Sequence, residues 1–401
     1  LGAFPPANAY PSVGTDPSSE DRYPLRIRVC RACWLMQTED FLSREEIFSE
    51  DYAYHSSYSV SLVERSRIFA QEMIRRLDLG PDDLIAEVAS NDGYLLQHFK
   101  NAGLRTLGIE PTESTAQVAR SKGIETIGEF FGLKLAKKIV DEYGLCRLII
   151  ANNVLAHVPD VHDFISGFAQ ALHPEGLISF EFPHVLELLH QGAFDTIYHE
   201  HFSYLSLGVV EGILRQHGLA VVDVERLATH GGSLRVFASH LNTNHVYSME
   251  LEDILQLENE RGLCSDEPYL ALHAKAEKTK KAFLTFLESE KLEGRKVVGY
   301  GAAAKCSTLL NYCSVGNQDI DFIVDKSTAK QAKQVPGTGI PIVPISKLIE
   351  DKPQTVIIFA WNLKDEIVDE LANIVDWDLE VALILEGETK VFGLGKGELH
   401  H

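Results

Sequence analysis

Apolar segments that alternate with helix-like segments constrain the fold of this chain more than any other feature. Strands that alternate with helices predict a mostly parallel sheet with helices on both faces. The last two apolar segments lack a clear helix between them, which favours an antiparallel edge. The segments are Leu84–Ala89, Leu104–Ile109, Leu148–Ala151, Leu177–Phe182, Ala220–Val224 and Leu234–Ala238.

The same alternation returns near the end of the chain and predicts a second, smaller α/β domain. Its apolar runs are Val297–Tyr300, Ile320–Val324, Thr355–Ala360 and Val381–Leu385. We therefore expect four parts, namely a small module at 1–50, a large sheet domain at 51–242, a helical linker at 243–290 and the second domain at 291–390. The first part is too small to bury much core, so it needs a metal or a neighbouring domain.

Composition excludes several classes of protein. The 401 residues include 37 Lys and Arg against 58 Asp and Glu, which gives a net charge of −21 and argues against a nucleic-acid partner. No apolar run is long enough to span a membrane, and nothing at the start resembles a secretion signal. Six cysteines in so long a chain fit a reducing compartment, so we expect a cytoplasmic protein. Its oligomeric state, monomer or homodimer, stays open.

A loop after the first strand is the best candidate for a ligand site. The segment Glu87–Leu96 follows the strand and opens a helix, where backbone N–H groups meet ligands in open α/β sheets. Its only glycine, Gly93, makes a poor pyrophosphate cradle, whereas Glu110 at the next strand end can accept both ribose hydroxyls. S-adenosylmethionine, a nucleoside without pyrophosphate, fits this pair better than NAD. The alternative is that Glu110 is a solvated acid and Gly93 only a turn.

Two later segments complete the predicted cofactor site. Gly128–Phe131 and Ala151–His157 fall where the third and fourth strands should end, and there they could frame the adenine and methionine parts of the ligand. The candidate cofactor residues are Glu87, Ala89, Asn91, Gly93, Glu110, Glu129, Phe130, Asn152 and Asn153.

A polar cluster at residues 198–204, with the sequence YHEHFSY, is the best candidate for catalysis. In an extended segment Tyr198 and Glu200 would point one way, and His199 and His201 the other way. Forming a carbanion beside a carbonyl needs a base such as His and a donor such as Tyr or a protonated Glu. Zinc binding and a purely structural hydrogen-bond network remain alternatives.

Three further motifs carry less specific signals. Residues 299–304 match G-x-G-x-x-A after a strand, and Asp325 ends the next strand, so an NAD-dependent dehydrogenase is the rival hypothesis. The segment Tyr52–Tyr58 could cover the cofactor cleft or cap the first helix. The segment His230–Ser233 could touch substrate, although a tight turn explains it more simply.

With these residues in hand, the chain resembles the zinc-containing sugar C-methyltransferase family, whose members methylate carbon 3 of nucleotide-linked 4-keto deoxysugars in antibiotic pathways. The likeness runs from Leu1 to about residue 390. The YHEHFSY string is its most specific element. Weaker support comes from Leu1-Gly2, Pro6–Ala9, Cys30–Leu35, Tyr54–Tyr58, Ala89–Gly93, His230–Arg235 and Gly299–Lys305.

The resemblance implies a class I methyltransferase Rossmann-like domain, a second Rossmann-like domain and a zinc-binding module. It makes His201 the base that removes the proton from carbon 3. Tyr198 and Glu200 would line the same pocket, and Tyr54 would reach in from the preceding loop. The second domain would close over the nucleotide, with Lys305 near a diphosphate and no redox cofactor. Methylation of another small molecule at carbon or oxygen, and a non-catalytic sugar-nucleotide binding protein, remain alternatives.

The chain departs from the family at two places. Ala89 stands where the family has glycine, a small replacement that should still allow the cofactor to approach. The family holds zinc through two C-x-x-C pairs, and only Cys30 and Cys33 are found here. We expect the first pair to lie upstream of Leu1. Because two cysteines alone do not hold zinc, the structural metal could be absent from this chain.

Overall fold

The computed structural model describes residues 1–42, 56–243 and 247–394. Across these residues the strands form two large sheets and two small ones. The strands are β1 (Gly2–Phe4), β2 (Tyr23–Leu25), β3 (Ile27–Val29), β4 (Met36–Thr38), β5 (Leu84–Val88), β6 (Arg105–Ile109), β7 (Thr126–Ile127), β8 (Cys146–Asn152), β9 (Leu172–Pro183), β10 (Ser203–Tyr204), β11 (Leu219–Leu227), β12 (Ser233–His240), β13 (Val297–Tyr300), β14 (Ile323–Val324), β15 (Ile342–Val343), β16 (Thr355–Ile358), β17 (Leu379–Leu385) and β18 (Glu388–Leu394). The helices are α1 (Val60–Arg76), α2 (Leu96–Asn101), α3 (Glu113–Ser121), α4 (Leu133–Tyr143), α5 (Val161–Ala171), α6 (Val185–Gln191), α7 (Leu207–Gln216), α8 (Met249–Glu260), α9 (Glu267–Leu292), α10 (Ala304–Cys313), α11 (Ile345–Asp351) and α12 (Lys364–Ile374).

The larger sheet has seven strands in the order β11-β12-β9-β8-β5-β6-β7. Strands β5 to β9 pair in parallel, while β12 pairs antiparallel with both β9 and β11. The predicted antiparallel edge is therefore confirmed. The long strands are buried on both faces, which is why their sequences are nearly continuous apolar runs. All the parallel strands end on the edge of the sheet that carries the predicted cofactor loop.

The second sheet has six strands in the order β15-β14-β13-β16-β17-β18, and only the β17–β18 pair is antiparallel. Helix α9 lies against this sheet beside β18 and β17. Its buried side chains repeat at helical spacing, as the sequence predicts. They include Leu272, Ala276, Phe283 and Leu287.

The N-terminal residues form the two small sheets. Strands β1 and β2 pair with each other, and β4 pairs with both β3 and β10, whose two residues end the YHEHFSY segment. Ser203 lies opposite Gln37, and Tyr204 lies opposite Met36. Backbone pairing therefore ties the N-terminal module directly to the loop predicted to carry catalysis.

No helix among the described residues is both long and apolar enough to cross a bilayer.

Candidate active site

The loop after β5 is a tight turn in the left-handed region. Ala89, Asn91 and Gly93 have φ angles of 57°, 49° and 76°. Glycine suits position 93 because its φ is positive and because a Cβ there would press against the end of the Ile124 side chain. Left-handed backbone costs a residue such as alanine about 1–2 kcal/mol, which gives a physical reason why glycine suits the position of Ala89.

Glu110 ties the end of β6 to this loop. One carboxylate oxygen accepts the N–H of Asn91 at 3.0 Å, and the other accepts the N–H of Thr112 at 2.8 Å. The side chain is 5% exposed, and burial raises its pKa against the opposing effect of these backbone donors. The alternative that Glu110 is a solvated strand-end acid is therefore wrong. The side chains of Thr112 and Thr115 also hydrogen-bond to this carboxylate.

Buried oxygen atoms without a protein partner gather at the ends of β5 and β8. Among the described residues they include side-chain oxygens of Glu87, Asp92, Asn152 and Asn153. Burial, together with the nearby charges of Asp92 and Glu110, raises the pKa of Glu87 well above its usual value. Buried polar atoms that lack partners are uncommon and need an explanation. A ligand that brings amino and hydroxyl donors, as S-adenosylmethionine does, fits these acceptors.

The segment before α1 reaches the same loop. The N–H of Ser56 donates to Oδ1 of Asn91 at 2.9 Å, and Ser57 donates through both its N–H and its hydroxyl to Oδ2 of Asp92. Ser59 also caps α1 through the N–H of Leu62. The residue that caps the helix thus lies just after the segment Tyr52–Tyr58, and a role of this segment in covering the cofactor cleft stays a prediction. Tyr54, the predicted catalytic residue of this segment, lies outside the described residues.

Glu129 lies apart from the buried cluster. Its carboxylate is exposed and pairs with Nζ of Lys138 on α4 at 3.1 Å. Strand β7 ends two residues earlier, and the acid that follows is exposed. A role of Glu129 in cofactor binding stays a prediction. Phe130 beside it is half-buried.

The YHEHFSY segment begins as a turn, not as a strand. The N–H of His201 donates to the carbonyl of Tyr198 at 3.0 Å, and the two rings lie 4.0 Å apart between centroids. The predicted alternation, which put Tyr198 with Glu200 and opposite His201, is wrong because a four-residue turn brings its first and last side chains together.

The two middle residues of this turn face the N-terminal module instead. His199 bonds through Nε2 to the carbonyl of Tyr23 at 3.1 Å. Asn8 donates to both carboxylate oxygens of Glu200 at 2.8 Å, and burial raises the pKa of Glu200 to about 7. Glu200 is not among the residues that line the cleft beside Tyr198, so the predicted pocket role of its carboxylate is replaced by a contact with Asn8.

His201 has the hydrogen bond and the charge state of a general base. Its Nδ1 lies 3.1 Å from the carbonyl of Thr196, and because a carbonyl only accepts, Nδ1 carries the proton and Nε2 the lone pair. Burial holds the pKa of His201 well below its usual value, with further lowering from His157, His230 and Lys305. The imidazole is therefore neutral at pH 7. The ring of His157 lies 4.7 Å from that of His201.

Tyr198 and His201 line a cleft between the two large sheets. The predicted His230–Ser233 turn lines it, with His230 in the left-handed region at φ 55°. Sequence reasoning did not single out His184 and Trp361, although each lies just beyond the carboxyl end of a buried strand. Applying the strand-end rule to β9 and β16 would have found both. The polar and aromatic lining consists of His184, Glu187, Gln191, Thr196, Tyr198, His201, Ser203, Tyr204, His230, Lys305 and Trp361.

Cys30 and Cys33, the predicted zinc ligands, lie in a tight turn. The N–H of Trp34 donates to the carbonyl of Cys30, and backbone N–H groups of Cys33 and Ala32 lower the pKa of the Cys30 thiol. Such a turn suits thiolate ligands. Zinc takes four ligands, however, and the described part of the chain holds no cluster of three or more His, Cys, Asp or Glu that could bind a metal. The zinc alternative for the His199–His201 segment fails for the same reason.

The glycine-rich loop after β13 is closed by protein groups. The N–H of Ala302 donates to Asp325 at 2.9 Å, and its carbonyl accepts Tyr10 at 2.7 Å and Lys330 at 2.9 Å. A dinucleotide needs the N–H groups of this loop for its pyrophosphate. Tyr10, from the N-terminal module, instead packs where such a ligand would approach.

Three family models match successive parts of the chain. They are described as "Putative zinc binding domain" at residues 1–48, "Methyltransferase domain" at 65–224 and "C-methyltransferase C-terminal domain" at 228–385. Among curated proteins, the C-methyltransferase NovU of Streptomyces niveus is 34% identical over 369 residues, which cover 92% of this chain and 88% of NovU. The chain belongs to this C-methyltransferase family. It is an S-adenosylmethionine-dependent methyltransferase with a class I Rossmann-like domain, and the dehydrogenase hypothesis is wrong.

Solved methyltransferase structures show weaker likeness. Magnesium protoporphyrin IX methyltransferase from Synechocystis, with bound S-adenosylmethionine, is 16% identical with a TM-score of 0.36 and covers 51% of this chain and 100% of its own. The CcbJ methyltransferase from Streptomyces caelestis is 13% identical with a TM-score of 0.35, and the match covers 44% of this chain and 89% of CcbJ. These values are too low to say anything about substrate.

Proposed function

We propose that this enzyme methylates carbon 3 of a nucleotide-linked 4-keto deoxysugar and that His201 is the base. The observation that carries the proposal is the hydrogen bond from His201 Nδ1–H to the carbonyl of Thr196, which leaves the lone pair on Nε2. Because burial keeps the imidazole neutral, it can accept a proton at pH 7. It does so in the cleft that the two large domains share.

The cofactor supplies an electrophilic methyl group when it is bound. Glu110 would accept the ribose hydroxyls, and the partnerless oxygens of Glu87, Asn152 and Asn153 would accept its other donors. The chain runs from Asn153 to His157 in four residues, and the His157 ring contacts His201. This short path supports a methionine position close to the proposed base.

The reaction requires His201 to take the proton from the carbon beside the ketone. The C–H electrons form a carbon–carbon double bond, and the carbonyl π electrons move to oxygen. The enolate carbon then forms its bond to the methyl group as the carbon–sulfur bond breaks, and the ketone returns. A positioned base contributes about 10²–10⁴-fold, and fixed placement of the two reacting carbons supplies much of the rest.

The other predicted residues have either a catalytic or a structural role. Tyr198 stacks on His201 and limits how its ring can turn. Glu200 positions the loop through Asn8, and Tyr54 would enter the cleft from the segment before α1. Cys30 and Cys33 would hold a structural zinc once two more ligands are supplied. The domain division at 50, 242 and 290 and a cytoplasmic location belong to the same proposal.

A labelled methyl donor and a panel of nucleotide sugars test the assignment. We expect label on carbon 3 of 4-keto deoxysugars linked to thymidine or uridine diphosphate, located by NMR of the product. The matched 4-hydroxy sugars should accept no label, because their carbon 3 proton is not acidic. Transfer to the 4-hydroxy sugars, or label on oxygen, would contradict the proposal.

A further inference from the structure

Lys305 brings a positive charge into the cleft from the second domain. It is the second residue of α10, and it lines the cleft together with His201 and His230. Its ammonium donates to Oδ1 of Asn362 at 2.6 Å and lies 4.1 Å from the centre of the Trp361 ring. These two contacts fix the direction of the side chain. The ammonium has three N–H donors, and Asn362 takes one.

This cation has no carboxylate to balance it at contact distance within the described chain. The Asp195 carboxylate acts on Lys305 from farther away and itself accepts the indole N–H of Trp361 at 2.7 Å. Burial consequently lowers the pKa of Lys305 to about 8. A partly desolvated ammonium is unfavourable unless an anion joins it. Such an anion must arrive with the substrate or form during the reaction.

The lining of the cleft favours a single anionic oxygen over a diphosphate. Lys305 is the only Lys or Arg among the described residues that line the cleft. It lies close enough to His201 for its charge to lower the pKa of that imidazole. His201, the proposed base, thus comes from the larger domain, and the Lys305 ammonium comes from the second domain. Both line the same cleft. A ketone beside an acidic C–H needs these two groups together.

We propose that Lys305 is a catalytic residue that donates a hydrogen bond to the sugar ketone oxygen and stabilises the enolate. This inference rests on the proposed function. As His201 takes the proton, the C–H electron pair becomes the carbon–carbon double bond and the carbonyl π pair moves to oxygen, opposite the Lys305 ammonium. When the carbon attacks the methyl group, the pair returns to the carbonyl and the breaking carbon–sulfur bond leaves its electrons on sulfur. Lys305 keeps its proton throughout.

Deuterium exchange isolates the step assigned to Lys305. The full chain is incubated in D₂O with S-adenosylhomocysteine and thymidine diphosphate 4-keto-6-deoxyglucose, and exchange at carbon 3 is followed by NMR. Lys305→Met should slow exchange at saturating sugar by about 10²–10³-fold, the range for removing one donor to a developing oxyanion. Lys305→Gln keeps an N–H donor without the charge, so its exchange rate should lie between those of the wild-type enzyme and Lys305→Met.

A matched control is Lys352→Met. Lys352 also lies over an indole of the second domain, 5.6 Å from the ring of Trp377, but at the opposite end of the sheet. The Lys352→Met variant should exchange the carbon 3 proton at the wild-type rate. Met at 305 removes an unbalanced buried charge, so we expect this variant to fold, which its thermal unfolding checks.

Each outcome has one meaning. Slow exchange with unchanged affinity for thymidine diphosphate supports the proposal. Unchanged exchange overturns it. Lost thymidine diphosphate affinity with normal exchange at saturation also overturns it and makes Lys305 a phosphate ligand. If the wild-type enzyme exchanges no proton on any 4-keto sugar of the panel, the proposed function itself fails.

Discussion

At the residue scale, His201 and Lys305 are both shifted by burial towards their uncharged forms, yet the proposed reaction needs one neutral and the other charged. A neutral His201 exists above its lowered pKa. A charged Lys305 exists below about 8. The groups whose charges act on this pair are Asp195, His230 and His157, and His184 and Glu187 line the same cleft. Burial thereby moves to lower pH the window in which both groups are in the required state.

Activity should consequently fall as pH rises through about 8, because Lys305 loses its proton there. Activity should also fall on the acid side, at a pH well below 6.5, where His201 becomes protonated. The kcat/KM–pH profile measures both limbs, because it reports the pKa values of the free enzyme. Lys305→Arg stays charged throughout this range, so whatever activity it keeps should lack the alkaline limb. An unchanged limb in that variant would contradict the assignment.

The lowered pKa of Lys305 predicts that stability, unlike activity, increases as pH rises. Between about 8 and the ordinary Lys value of 10.5, the unfolded chain holds this proton and the folded chain does not. The contribution of Lys305 to the free energy of unfolding therefore increases with pH over this window. Comparing wild-type with Lys305→Met by urea unfolding at several pH values isolates it. The difference between the two proteins should be largest below pH 8 and should shrink above it.

His201→Gln should lower turnover by about 10²–10⁴-fold, since it removes the proton acceptor. Binding of S-adenosylmethionine, measured by calorimetry, should not change. His240→Gln is the matched control, because His240 bonds to the carbonyl of Leu172 at the far edge of the larger sheet. Normal turnover in the His201 variant would remove this residue from the mechanism.

Ala89→Gly should keep or raise the free energy of unfolding, by up to about 1 kcal/mol. Glycine avoids the left-handed penalty at φ 57°, and its greater unfolded-state entropy offsets part of that gain. Ala271→Gly, on the exposed face of α9, should instead lose about 1 kcal/mol. Denaturant unfolding of both variants measures the contrast. A loss at position 89 as large as that at 271 would contradict the strain argument.

At the element scale, strand β4 and the turn at 198–201 form one unit although they are far apart in sequence. The hydroxyl of Thr38 donates to the carbonyl of His201 at 2.8 Å, and its N–H donates to the carbonyl of Phe202 at 3.2 Å. Asn8 adds its contacts to Glu200. The N-terminal module thus holds the backbone on both sides of the base.

Asn8→Leu tests this unit. It leaves the buried Glu200 without its donor, which should cost about 1–3 kcal/mol and raise the pKa of that carboxyl above about 7. We expect kcat to fall more than KM rises, because the loop is displaced while the cleft remains. Asn373→Leu, on the exposed face of α12, is the control. Equal effects of the two changes on kcat would exclude a positioning role for Asn8.

The sequence predicts strands and helices well where burial requires a regular pattern of apolar residues. The long strands β8, β9 and β12 appear as apolar runs because both of their faces are covered. Strands β7 and β10 have two residues each, too few for any period to be visible. The turn at Tyr198–His201 was mistaken for extended chain because its residue types do not distinguish the two conformations. Its conformation is decided by Asn8 and Thr38, which are distant in sequence.

At the scale of the whole molecule, the site depends on two sheets that meet at their carboxyl edges. The strand-end rule placed Glu87, Glu110 and Asn152 correctly at the edge of one sheet. It could not show that Lys305 of the second sheet faces His201 of the first, because nothing in a single sequence reports how two domains dock. The partnerless oxygens likewise became visible only once side chains were packed.

Ligand-induced stabilisation tests the assembled site. S-adenosylmethionine at about 100 times its Kd should add about 2.7 kcal/mol to the free energy of unfolding and raise Tm. NAD should add nothing, because Tyr10, Asp325 and Lys330 already occupy the polar groups of the loop after β13. Thermal unfolding with each nucleotide measures the difference. Stabilisation by NAD alone would contradict the cofactor site.

The pairing of β4 with β10 also restricts how new enzymes can be built from this one. A chimera that exchanges only the central domain with a relative would bring in a foreign β10 against the resident β4, whose register sets Gln37 opposite Ser203. A slip of one residue would turn the strand over and carry the neighbouring base out of place. Transplants intended to change the product should therefore carry the first forty or so residues along with the central domain.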